Sequence, residues 1–178
     1  MGGSIFMPVG EPDPVGGIVI DSMISPFATP TFTGTLLSTV IAGDTSNPFG
    51  GLTFTFLVSN DLSSAHPLGR VTMNGYDGWL TDASWTAPTV GVTPALINRP
   101  TSDFLGFTFI DGFGGLITPG KSSALLVIQT DAPSFTEDLA SVIDGFVATV
   151  PTFAPVPEPA TLGLLAIAGL ALIRRRRA

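Results

Sequence analysis

The chain has 178 residues, enough for one domain with its own core beside a short tail. It holds no cysteine and a single histidine, which excludes disulfides, a thiolate zinc site, a cysteine nucleophile and a His-rich metal centre. Fourteen acidic residues stand against seven basic ones, four of these in the last five positions; the net charge of −7 disfavours nucleic acid, whose phosphates need clustered Lys and Arg.

Taken in chain order, the body reads as strands. Residues 17–24 and 32–41 are the first candidates. Residues 52–60 alternate, with Leu52, Phe54, Phe56 and Val58 on one face and Thr53, Thr55 and Ser59 on the other, the period-2 pattern of a half-buried strand. Residues 69–73 and 82–86 follow, and Leu105, Phe107 and Phe109 repeat the alternation. Residues 124–128 are apolar on both faces and predict a central core strand. Phe146, Ala148 and Val150 give one more. Turn signals separate these runs: Asn47-Pro48 with Gly50-Gly51, Asn74-Gly75, Asp77-Gly78, Asp111-Gly112, Pro119-Gly120 and Asp144-Gly145. Eight or nine short strands with a Phe-rich core predict an all-β fold over 1–150, a single antiparallel β-sandwich of jelly-roll or Ig-like kind. Residues 135–143 suit either a helix capped by Thr136 or an edge strand. Residues 151–159 carry four prolines and predict an extended, solvated linker.

Residues 160–173 carry no charge, and Thr161 is their only polar side chain. As a helix at ~1.5 Å per residue they span roughly 21 Å, short of the ~30 Å hydrocarbon core of a bilayer. Arg174, Arg175, Arg176 and Arg177 can snorkel to the headgroups, and local thinning of the bilayer closes the rest of the gap. Pro159 suits the first turn of such a helix. The absence of a polar face argues against a buried helix of a soluble domain, and the basic end places the C-terminus on the cytoplasmic side. The region 160–178 is thus expected to be a transmembrane helix and its stop. Up to Glu158 the body has three cations against all 14 acidic residues, a net of −11 that fits a solvated exterior.

Val156-Pro157-Glu158-Pro159-Ala160-Thr161, the Gly/Leu/Ala run and the Arg174–Arg177 block together resemble the PEP-CTERM sorting signal of Gram-negative bacteria. The resemblance implies that Pro157, Glu158 and Pro159 are the recognition element and that the arginines are the membrane stop. It also implies a partner, a membrane-embedded exosortase with a Cys/His/Arg site. That enzyme cuts near the triplet and passes the protein from the inner membrane to the cell surface or extracellular matrix. Segments 34–37, 47–56 and 122–131 are similar to the β-rich bodies found before such tails. A glycolipid-anchor signal would need a polar spacer and no basic end. Residues 1–17 show neither a basic n-region nor an apolar run, so the export signal is expected upstream of this start; the rival is a C-terminal helix that inserts as a tail anchor.

The body offers little chemistry. His66 could act as a base beside Ser63 or Ser64, or simply occupy the turn before Pro67. Carboxylates and large aromatics cluster only around Tyr76, Asp77, Trp79, Asp82 and Trp85. A sugar ring stacked on Trp79 or Trp85, with Asp77 or Asp82 binding its hydroxyls, would make a carbohydrate-binding module with exopolysaccharide as partner. The alternative is that these aromatics fill the core or pad a hairpin. No loop alternates Asp and Asn as a calcium loop does, and no cofactor is implied. The expected function is that of a non-enzymatic surface or matrix protein with a structural or adhesive body.

Overall fold

The computed structural model describes residues 3–10, 16–87 and 90–156. Its strands are β1 (Ser4–Phe6), β2 (Ile18–Ala28), β3 (Thr33–Ala42), β4 (Thr53–Asn60), β5 (Arg70–Met73), β6 (Thr81–Trp85), β7 (Leu96–Asn98), β8 (Leu105–Thr108), β9 (Leu126–Thr130), β10 (Phe135–Asp144) and β11 (Phe146–Pro155). They form two antiparallel sheets, one of six strands in the order β1-β7-β8-β5-β10-β11 and one of five in the order β2-β3-β4-β9-β6. No helix occurs among the described residues, and hence none long and apolar enough to cross a membrane.

One buried cluster joins the sheets. Leu36 and Val40 of β3, Phe54, Phe56 and Val58 of β4, and Leu126 and Ile128 of β9 come from the five-stranded sheet. Val71 and Met73 of β5, Phe107 of β8, Val142 of β10 and Val150 of β11 come from the other. Each of these large side chains contributes about 1.5–3 kcal/mol by leaving water. Leu52, Phe54, Phe56 and Val58 are buried as the alternation in 52–60 predicts, and β9 is buried along its whole length, as a strand apolar on both faces must be. Thr53 and Thr55, on the supposed outer face of β4, are buried as well, because β3 and β9 flank the strand and loop 43–51 folds over it.

Residues 135–143 are a strand, β10, and an interior one between β5 and β11. A helix of this length is marginal alone. Against it stands a hairpin turning at Gly145 (φ 68°) that pairs every residue from Asp144↔Phe146 to Phe135↔Pro155. Phe146, expected on the buried face, lies beside this turn and is 47% exposed, while Ala148 and Val150 are buried.

The linker expected over 151–159 needs a larger correction. Its first five residues belong to β11, and Thr152, Phe153, Ala154 and Pro155 are all buried. The Phe153 ring packs edge-on against Phe135 at 5.4 Å. The strand tolerates Pro151 and Pro155 because β11 is the edge of its sheet, where a missing N–H breaks no second ladder. Val156 adds one more bond, donating its N–H to the Ser134 carbonyl at 3.2 Å. The folded body thus runs to 156, beyond the boundary expected at 150. Pro157, Glu158 and Pro159, the expected helix over 160–173 and Arg174 to Arg177 lie outside the described residues.

Candidate functional site

The aromatic cluster sits where β5 gives way to β6. After Met73 the chain turns at Gly75 (φ 87°), which donates its N–H to Asp103 Oδ1 at 2.9 Å. A side chain at Gly75 would also collide with Ala154 of β11, its Cβ only 2.7 Å from that methyl. The turn sends Tyr76 inward. Its ring is fully buried and packs edge-on against Phe54 at 6.0 Å. The turn over Asp77-Gly78, closed by the Trp79 N–H on the Tyr76 carbonyl at 3.3 Å, returns Trp79 to the core at 9% exposure.

Arg99, between β7 and β8, ties this loop down. Nη2 donates to the Tyr76 carbonyl at 2.6 Å, Nη1 to Thr81 Oγ1 at 2.8 Å and Nε to the Ser102 carbonyl at 2.9 Å, with longer bonds to the Trp79 carbonyl. A planar guanidinium suits this work, because its donors fan out in fixed directions.

Trp85, at the end of β6, donates Nε1–H to the Pro8 carbonyl at 3.2 Å, and Gly10 lies so close to its ring that a Cβ there would stand 2.5 Å from it. Asp77 is exposed on its turn. Asp82 is half-buried on β6 and lines a cleft of about 320 Å³ with Ser4, Ile97, Asn98 and Arg99. The five residues therefore do not form one surface. Tyr76 and Trp79 are core, Trp85 is covered on one side by the N-terminal segment, and the two aspartates occupy different settings. A stacking platform needs an open ring face, which Tyr76 and Trp79 lack.

Burial, with the nearby charge of Asp138, pushes the Tyr76 phenol well above its ordinary pKa, and its hydroxyl finds no hydrogen-bond partner. Two results follow. Tyr76→Phe removes an unsatisfied buried polar group and is expected to stabilise the body by about 1 kcal/mol in chemical denaturation. With a raised phenol pKa the full stability is present below the unfolded value, where the phenol is neutral in both states, and is lost as pH rises from there toward the folded value. Wild type should therefore lose stability in alkali where Tyr76→Phe does not. Since the chain has one tyrosine, its phenolate absorbance should appear only on unfolding. Ionisation of the folded protein at the ordinary tyrosine pH would contradict the burial argument.

His66 Nδ1 stands 3.2 Å from Asp144 Oδ2, beside the β10–β11 turn, near enough for an ion pair when the imidazole is protonated but without a hydrogen bond. Ser64 is engaged elsewhere: its hydroxyl donates to the Thr33 carbonyl at 3.0 Å and accepts the Thr33 N–H at 2.9 Å. Among the described residues neither Ser63 nor Ser64 is hydrogen-bonded to His66, so no Ser–His pair is assembled. Among the described residues no group of three or more His, Asp or Glu side chains could hold a metal ion.

A polar cluster that the strand pattern did not reveal covers the outer side of β4 and β9. Asp44 Oδ1 accepts the Ser46 N–H at 2.9 Å and the Ser46 hydroxyl at 2.6 Å, while Oδ2 accepts from Thr53 Oγ1 at 2.7 Å and Gln129 Nε2 at 3.1 Å. Burial alone would raise this carboxyl, but the four bonds outweigh it and hold it below the usual carboxylate range. Asn47 completes the loop, its amide donating to the Gly51 and Thr130 carbonyls at 3.1 and 3.0 Å. The signal was present in Asp44-Thr45-Ser46-Asn47, a run typical of side chains that bond their own loop.

Comparison with known proteins bears on the tail. Residues 155–177 match the model of the PEP-CTERM protein-sorting motif. The match opens at Pro155, which is also the last residue of β11. No curated protein and no solved structure matches the chain. The chain thus carries a PEP-CTERM protein-sorting motif, joined with no intervening spacer to a β-rich body of two antiparallel sheets.

Proposed function

We propose that this is an exported protein held briefly in the inner membrane by its C-terminal segment. An exosortase cuts it near Pro157-Glu158-Pro159, and the body reaches the cell surface or extracellular matrix. There the two sheets act as a β-sandwich with a structural or adhesive role and no enzymatic one. The observation that carries this reading is the sorting motif at 155–177. The acidic body supports it, since a net of −11 up to Glu158 suits a solvated exterior. The non-enzymatic part draws on Ser64, whose hydroxyl is bonded to Thr33 rather than to His66. A carbohydrate-binding module built on Tyr76, Trp79 and Trp85 is disfavoured by the burial of the first two rings.

The test is the intact mass and terminal peptides of the protein made in cells with an active exosortase. A mature C-terminus near Pro157 to Pro159 is expected, and replacement of the triplet by alanines should abolish cutting. Mature protein that still ends at Ala178 would sink the proposal.

A further inference from the structure

The sorting motif and the folded body overlap at Pro155, and this has a mechanical consequence for cutting. At ~3.3–3.6 Å per residue, Pro157 lies at most about 7 Å and Pro159 about 14 Å from the end of the sheet. A protease that binds an extended stretch of chain needs several residues on each side of the cut, held in its own cleft. On the N-terminal side those residues are already taken. Thr152, Phe153, Ala154 and Pro155 are buried in β11, Phe153 packs on Phe135, and the Val156 N–H is bonded to Ser134.

Resting on the exosortase reading above, we propose that the end of β11 controls processing: residues 152–156 must part from β10 before the motif can be cut. The strand is made for this. It is an edge, hydrogen-bonded to β10 alone, so peeling it exposes no second ladder. Two of the last five strand positions are proline, Pro151 and Pro155, which withdraw donors from the pairing. Such an end opens locally at much lower cost than the whole body, while Phe153 and its contact with Phe135 hold it shut. Phe153 and Phe135 are therefore positioning residues for the processing step, acting through the access they give to the triplet.

A disulfide staple tests this cleanly because the chain has no cysteine of its own. Thr136 and Ala154 are directly opposed, as are Ser141 and Thr149 in the middle of the same hairpin. Opposed Cβ atoms lie ~4.5–5.5 Å apart, so small adjustments allow a bridge at either place. The full chain is followed by pulse-chase in exosortase-bearing cells, with the disulfide confirmed by mass. Thr136→Cys/Ala154→Cys is expected to be cut at less than about a tenth of the wild-type rate. Ser141→Cys/Thr149→Cys should be cut normally, and Phe153→Ala faster than wild type. Inserting about eight Gly/Ser residues after Val156 should restore cutting of the Thr136→Cys/Ala154→Cys chain, since the spacer supplies free residues without opening the strand. That rescue separates access from damage to the fold. Wild-type cutting of the end-stapled chain, or failure of the spacer to rescue it, overturns the proposal alone. A wild-type chain that stays uncut overturns the exosortase reading and this proposal together.

Discussion

Phe54→Ala is expected to cost about 3–5 kcal/mol of folding stability, out of the 5–15 kcal/mol that a domain of this size has. Phe54 is fully buried at the centre of the five-stranded sheet, paired with Val40 on one side and Ile128 on the other. Its ring also meets Tyr76 edge-on at 6.0 Å. Truncation removes the transfer term and leaves a cavity that strands fixed on both sides cannot collapse to fill. The loss would be read from urea unfolding of the mature body, followed by the fluorescence of its two tryptophans. A cost below about 1 kcal/mol would mean that the site collapses freely and that the buried cluster is loosely packed around Phe54.

Arg99→Ala should be nearly as severe, by a different route. The guanidinium donates to the carbonyls of Tyr76, Trp79 and Ser102 and to the Thr81 hydroxyl, fastening loop 74–80 to loop 99–104. Removing it leaves main-chain acceptors in a partly buried setting without their donor, at a cost of about 2–4 kcal/mol in total. Arg99→Lys should recover little, because one ammonium cannot reach acceptors spread around a planar fork. Amide exchange gives the sharper readout. Both variants should lose protection in residues 74–80 while the amides of β3 and β4 keep theirs. Wild-type protection in Arg99→Lys would show that only the positive charge counts, and the clamp would have to be abandoned.

How far the sequence speaks depends on whether the deciding contact is local. The alternation in 52–60 was legible because each phenylalanine faces the core at the strand's own period. Residues 124–128 were legible because apolar side chains on both faces admit only a covered strand. Residues 135–143 were not, since their pattern suits two periods and the choice rests on a ten-residue partner strand across Gly145. β1 and β7 are three residues each, too short to show any period. Tyr76 and Trp79 stand in a turn-rich stretch that suits either a binding surface or core filling, and the contacts that decide it are distant: Phe54 packs on the Tyr76 ring and Arg99 bonds the carbonyls of both residues. The same holds for the end of β11: its prolines spoke for a solvated stalk, and only pairing with β10 makes them strand. The tail was readable for the opposite reason, because a sorting signal is a linear order of residue types and needs no fold to be recognised.

The place of β11 also sets a timetable. In a chain that is threaded out of the cell N-terminus first, the edge of the six-stranded sheet and its core residues Val150 and Phe153 arrive last among the strands. The body would therefore lack its last edge strand until the residue at which the sorting motif begins has crossed. With the export and anchoring proposed above, folding would be completed and the anchor engaged within the passage of a few residues. On that proposal the newborn domain would spend its aggregation-prone, unfinished moments tethered singly at the membrane rather than free among its copies.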